Sequence, residues 1–176
     1  ADFETSVLPF NKIKSFLKSK INSTEKEVII LGPGPGHPDE YSFLDKEIKE
    51  LLNNKNILVI GICLGHQLIW KSLGYKTTNS SNPIHGQVEK LFNTQNIFDE
   101  KIFKDIFNVQ RYNSLCINLP DCQSRELESD GWKLILKNNE LYISLKTNIL
   151  TYQFHPESVG TSCRKQYYVP VHQFLL

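Results

Sequence analysis

Two short stretches of the chain set reactive side chains in surroundings suited to covalent chemistry. The first is residues 57–70, ILVIGICLGHQLIW, in which Cys63 stands between Gly61 and Gly65. An apolar run that closes in Gly-x-Cys-x-Gly and continues with helical spacing reads as a strand turning sharply into a helix. A nucleophile on such a turn is pushed out of the sheet, and small residues on either side keep strand and helix from colliding. The helix starting just past Cys63 points its N–H groups and the positive end of its dipole at the sulfur, which favours thiolate over thiol. The N–H of Leu64 is then placed to stabilise an oxyanion beside the sulfur. The same spacing also serves a buried, space-filling cysteine on an ordinary tight turn. A zinc reading of Cys63-x-x-His66 lacks a second Cys/His pair at ligand spacing.

The second stretch is residues 149–157, where the apolar run ILTYQF ends in His155-Pro156-Glu157. A thiol nucleophile needs a base to lose its proton and an acid to expel an amine, and histidine suits both tasks. A third group must hold the imidazole in one tautomer. Glu157 can bend back to the ring of His155, with Pro156 fixing the backbone between them. Loops at the C-terminal ends of strands are where open α/β sheets place their chemistry. Alone, His-Pro-Glu also fits a polar strand exit with no chemical partner. His37 and His85 fall in loops, His66 rides on the helix after the turn, and His172 lies near the terminus.

The elements that must position these groups follow from apolar spacing. Residues 28–31 are a buried strand closed by the loop Gly32-Pro33-Gly34-Pro35-Gly36. Residues 41–53 have helical spacing, residues 57–60 are a second buried strand, and residues 66–73 are a helix stopped at Gly74. Strand, helix, strand, helix in alternation predicts an α/β fold of three layers. A mostly parallel central sheet would carry helices on both faces. Residues 86–92, 114–119, 132–136, 141–146 and 149–154 read as strands joined by turns such as Asn138-Asn139, predicting a smaller antiparallel sheet. A last helix is expected from about Gly160 through Phe174, interrupted at Pro170. Lys12 to Lys20 are spaced like the wet face of a helix.

Composition bounds the rest. The 176 residues are 40% hydrophobic and 22% charged, with a formal net charge of +1, which suits one domain and draws the chain to neither nucleic acid nor an anionic membrane. No apolar run approaches the ~20 residues of a membrane span. The four cysteines, Cys63, Cys116, Cys122 and Cys163, give no disulfide framework, so a reducing, cytoplasmic setting is expected. The absence of methionine predicts a processed chain or a piece of a longer one.

Five motifs in one order carry a resemblance: LGPGPGHP at residues 31–38, GICLGHQ at 61–67, PIHGQ at 83–87, RYNSL at 111–115 and QFHPES at 153–158. They resemble the class I, triad-type glutamine amidotransferases, most of all the glutaminase subunit of anthranilate synthase and its counterpart in para-aminobenzoate synthesis. The resemblance implies that Cys63 attacks the side-chain amide of L-glutamine, that His155 moves the protons and that Glu157 orients it. It implies an oxyanion held by the N–H groups of Leu64 and Gly34. It implies substrate contacts from Gly34, Pro35, Gly36, Gln67, Ser114 and Leu115. Neither a metal nor an organic cofactor is implied. The ammonia would pass to a chorismate-using synthase docked near residues 34–37 and 83–87.

The chain departs from the family at its N-terminus and at position 113, and its tail, CRKQYYVPVHQFLL, resembles the family only loosely. The Asp-Asn-Tyr-Asp-Ser-Phe-like first strand is missing, and Thr5-Ser6-Val7-Leu8 resembles the second strand region. The 1–176 domain is therefore expected to be longer at its N-terminus in the biological protein, or to have that place filled otherwise. Asn113 stands where the family usually has His. Two other readings remain open: the glutaminase of GMP, CTP or carbamoyl phosphate synthesis, and a non-catalytic amidotransferase-like module that regulates a synthase.

Overall fold

A computed structural model of the chain describes residues 3–92 and 106–176. In chain order these form α1 (Ile13–Lys20), β1 (Glu27–Leu31), α2 (Asp45–Leu51), β2 (Ile57–Ile62), α3 (Leu64–Ser72) and β3 (Thr77–Phe92). There follow β4 (Ile106–Ile117), α4 (Asp121–Ser129), β5 (Lys133–Lys137), β6 (Glu140–Lys146), β7 (Ile149–Tyr152) and α5 (Val169–Leu175). Five strands make one sheet in the order β1-β2-β7-β6-β5, and β3 and β4 pair separately as a ribbon.

The sheet is mixed. β1, β2 and β7 are parallel neighbours, whereas β6 runs antiparallel to both β7 and β5. The parallel part follows from strands that are apolar on both faces; β2 and β7 are buried along their whole length, but β1, expected to be buried, lies at the sheet edge and leaves Ile30 exposed. Along β2, Ile57 and Val59 share a core with Ile48 and Leu51 of α2 and Trp70 of α3. Leu58, Ile60 and Ile62 face the other way, towards Leu91, Phe107 and Val109 of the ribbon and Tyr167. The β5–β6 hairpin turns at Asn138 and Asn139, both with positive φ, the backbone that a two-residue hairpin requires.

The polar ribbon is fixed to the sheet by a buried charge cluster. Arg111, fully buried, donates from Nη1 to Glu89 Oε2 at 2.7 Å and to the hydroxyl of Tyr142 on β6. Lys137 Nζ donates to the other Glu89 oxygen at 2.6 Å, and Glu140 lies 3.5 Å from Arg111 Nη2. Such a cluster adds little net stability against an apolar equivalent, but it tolerates one arrangement and so fixes where the ribbon sits.

Several expectations are corrected. Residues 41–53 are not one helix: a 3₁₀ segment, Pro38–Leu44, precedes α2. Pro170 does not interrupt the last helix but sits in its first turn, where a missing N–H costs nothing. Residues 160–163 precede a 3₁₀ turn, Arg164–Tyr168. His85 lies within β3 rather than in a loop, at a shift of register. Residues 5–8 form no strand. α4 has no counterpart among the expected elements. Among the described residues no helix is long and apolar enough to cross a membrane.

Candidate active site

β2 and β7 are parallel neighbours with Ile62 opposite Tyr152, so both chains leave the sheet at the same end and at the same level. The N–H of Cys63 donates to Tyr152 O at 2.8 Å, which ties the turn to the strand that leads to His155. This pairing brings together two residues that lie far apart in sequence.

The turn itself is strained and tightly interlocked. Cys63 has φ 50° and ψ −102°, a conformation that non-glycine residues rarely hold and that recurs at functional sites. Three glycines permit it. A Cβ on Gly65 would lie 1.8 Å from Leu31 O, one on Gly61 2.8 Å from the Gly65 carbonyl, and one on Gly32 2.3 Å from Ile62 O. The spacing of Gly61 and Gly65 around the cysteine makes them legible in the sequence. Gly32, which reads there only as the end of a strand, belongs to the same interlock.

His155 Nδ1 and Glu157 Oε1 are 2.7 Å apart. With Nδ1–H donated to the carboxylate, Nε2 is the nitrogen left for the Cys63 thiol, which also interacts with the ring. Burial disfavours the charged imidazole, but the hydrogen bonds to Cys63 and Glu157 and their negative charge outweigh it and raise the His155 pKa to about 9. Burial likewise opposes ionised Glu157, yet the hydrogen bond from His155, a backbone hydrogen bond and the His155 charge hold its carboxyl below the ordinary value. The thiol, imidazole and carboxylate are thus drawn into one chain of contacts.

Beside Cys63 opens a cavity of about 230 Å³ lined by Gly34, Pro35, Gly36, Leu64, Gln67, Ser114 and Leu115, together with Tyr112 and Asn113. That is smaller than the roughly 300–1,000 Å³ of drug-sized sites and in proportion to a single amino acid. Every residue expected to touch substrate is on its wall. A larger hollow of about 510 Å³, around Asn22, Asn53 and Asn54, has neither cysteine nor histidine in its lining.

Two wall residues lie outside the expected substrate contacts. Tyr112 sets its ring against His155, centroids 5.0 Å apart at 77°. Asn113 accepts from Arg111 Nε and donates to Leu115 O, both at 2.9 Å. The same carbonyl accepts from Gln67 Nε2 at 2.9 Å. Their place beside Ser114 in the RYNSL motif is the signal that sequence offers for them. His66 is fully buried, its Nδ1 2.7 Å from Thr151 Oγ1, and desolvation lowers its pKa to about 3. It is a neutral core residue. Among the described residues no group of three His, Cys, Asp or Glu side chains is arranged to hold a metal.

The contribution of Glu157 can be read from pH. Its bond with protonated His155 stabilises the fold fully between the ordinary carboxyl value of 4.5 and the ordinary imidazole value of 6.5. It is lost upwards as pH passes through about 9, where the folded imidazole loses its proton, and downwards as the carboxylate titrates at its lowered pKa. Glu157→Gln should therefore lower the His155 midpoint in an NMR titration. The melting-temperature gap between variant and wild type should be widest near pH 6 and close by about pH 10.

Known proteins similar to this chain point to one family. The family model for class-I glutamine amidotransferases matches residues 1–169. Anthranilate synthase component 2 of Haemophilus influenzae is 31% identical over 153 residues, covering 85% of this chain and 72% of its own length. That of Cyanidium caldarium is 33% identical over 150 residues, covering 81% and 73%. A glutamine amidotransferase from Thermotoga maritima shares the fold, with a TM-score of 0.59 and 19% identity over 83% of this chain and 62% of its own. By its motifs, its sheet and these relatives, the chain belongs to the class-I glutamine amidotransferase family.

Proposed function

We propose that the chain is a glutaminase that hydrolyses L-glutamine to glutamate and ammonia through a thioester on Cys63. The observation that carries this reading is Cys63 on the wall of a cavity fit for one amino acid, hydrogen-bonded to His155, whose Nδ1 faces Glu157. His155, whose pKa is raised, holds the proton taken from Cys63 while the sulfur bonds to the amide carbon of the side chain. The resulting oxyanion is held by the N–H groups of Leu64 and Gly34, residues that both line the cavity beside Cys63. Collapse of this adduct breaks the C–N bond, and the ammonia leaves with the proton from His155. Water then adds to the thioester, giving its proton to His155, and glutamate departs as the thiol re-forms. Glu157 keeps the ring in one orientation. Gly34, Pro35, Gly36, Gln67, Ser114 and Leu115 seat the substrate.

The ammonia is passed to a partner synthase that acts on chorismate. The relatives named anthranilate synthase component 2 support this choice over GMP, CTP or carbamoyl phosphate synthesis. The intact trio of Cys63, His155 and Glu157 favours an enzyme over a regulatory module. Glutamate release from glutamine should rise when a chorismate-using synthase is added. Release that responds to a GMP or CTP synthase instead would assign the ammonia elsewhere.

A further inference from the structure

The loop that carries the base is held by a residue outside the chemistry described above. Residues 155–162 run beside β4: the His155 N–H donates to Gln110 O and the Ser162 N–H to Asn108 O, each at 3.0 Å. Thr161 Oγ1 accepts the Gln110 N–H at 3.0 Å and donates to His155 O at 2.7 Å. The Gln110 side chain closes the arrangement. Its Oε1 accepts the Gly160 N–H at 2.9 Å, and its Nε2 donates to the Tyr112 hydroxyl at 2.7 Å and, more weakly, to Gly86 O at 3.4 Å. Tyr112 is the residue whose ring lies against the His155 imidazole. The seat has no slack, since a Cβ on Gly160 would come within 2.8 Å of Gln110 Oε1 and 2.7 Å of Val88 Cγ2.

We propose that Gln110 is a positioning residue for His155, fixing the imidazole through the Gly160 backbone on one side and the Tyr112 ring on the other. This rests on the glutaminase reading. The hydrogen bond to Glu157 fixes one edge of the ring, but the Glu157 side chain is 44% exposed and cannot alone confine it. The ring must stay within about 2.6–3.2 Å of the proton it moves, and small displacements from distant changes cost up to about 10²-fold in rate. The groups facing the imidazole are Cys63 from the turn before α3, Glu157 from its own loop and Tyr112 from β4. The Gln110 side chain is neutral and bonds only the last of these. A neutral replacement therefore alters orientation while leaving the charges around the ring as they are.

Gln110→Met keeps the length and loses the side-chain hydrogen bonds. Gln110→Glu keeps an acceptor for the Gly160 N–H and accepts the Tyr112 hydroxyl proton. The measurement is kcat and KM for glutamine hydrolysis, with melting temperatures alongside. Gln110→Met should lower kcat about tenfold and leave KM within about twofold, because the side chain is not on the cavity wall. Gln110→Glu should recover kcat to within about threefold of wild type. Wild-type kcat in Gln110→Met overturns the assignment. So does an equal loss in both variants with lowered melting temperatures, the mark of packing alone. Cys63→Ala, run beside them, separates the two layers. Undiminished turnover there overturns the glutaminase reading and the role of Gln110 with it, whereas an inactive Cys63→Ala beside an unaffected Gln110→Met removes the Gln110 role only.

Discussion

Cys63→Ala should lose at least about 10³-fold in kcat/KM for glutamine hydrolysis, because removing the nucleophile leaves only binding and oxyanion stabilisation. The fold should survive. Alanine inherits the positive φ of position 63 but adds no bulk, and the thiol it removes is a small buried group. Binding should survive too, since Gly34, Gln67 and Leu115 remain on the cavity wall. Turnover and calorimetric binding of glutamine, measured on the same preparation, check both halves. A variant that binds glutamine and does not hydrolyse it is the expected result. One that hydrolyses it at the wild-type rate removes Cys63 from the chemistry.

The largest effect on stability is expected from Gly65→Ala, by a mechanism unrelated to helix propensity. Alanine is ordinarily the better helix former, and position 65 lies in the first turn of α3. The added methyl, however, would stand 1.8 Å from Leu31 O and 2.4 Å from Leu31 C. These are backbone atoms of β1, so no side chain can swing away, and strand and helix must part. A loss of about 4 kcal/mol or more follows from overpacking at such a junction, a large share of the ~5–15 kcal/mol that holds a domain together. Gly74→Ala is the control. Its Cβ would meet nothing within 4 Å, and only the φ of +97° opposes it, worth about 1 kcal/mol. Urea midpoints for the two variants should differ severalfold in their displacement from wild type. Equal displacements would mean that the contact of α3 with β1 is looser than described.

These two residues mark what sequence can and cannot reveal. Gly-x-Cys-x-Gly announces a turn because the chemistry of a strand-to-helix elbow restricts residue types within five positions. The continuous apolar run at residues 57–60 announces a buried parallel strand for a similarly local reason, whereas the like run at 28–31 proves to be an edge strand that leaves Ile30 exposed. The meeting of Cys63 with His155 is not local. It depends on β7 lying beside β2 in a register that sets Tyr152 opposite Ile62, and for that the family resemblance, not periodicity, supplies the expectation. The roles of Gly32, Gln110 and Asn113 are hidden for the same reason. Gly32 acts on Ile62 and Gly65 and Gln110 on Gly160, all from other elements, while Asn113, whose direct partners Arg111 and Leu115 share β4 with it, reaches Glu89 and Tyr142 only through Arg111. Pro170 misleads because proline breaks a helix interior but suits its first turn, and spacing alone does not say where that helix begins.

Asn113, where the resemblance leads one to expect histidine, bridges two groups of its own strand. An amide can accept from the buried Arg111 with one end while donating to Leu115 O with the other. A neutral imidazole can do the same with its two nitrogens. Asn113 thus links the charge cluster to the carbonyl that also receives Gln67.

The most direct test is covalent. A glutamine analogue bearing an electrophile at the side-chain carbonyl position would be incubated with the protein, and the modified residue located by peptide mass mapping. One adduct is predicted, on Cys63, slowed by added glutamine and slowed again when His155 is replaced by alanine. An adduct that forms on Cys122 or Cys163, the two exposed cysteines, while Cys63 stays unmodified and glutamine offers no protection, would contradict a nucleophilic Cys63.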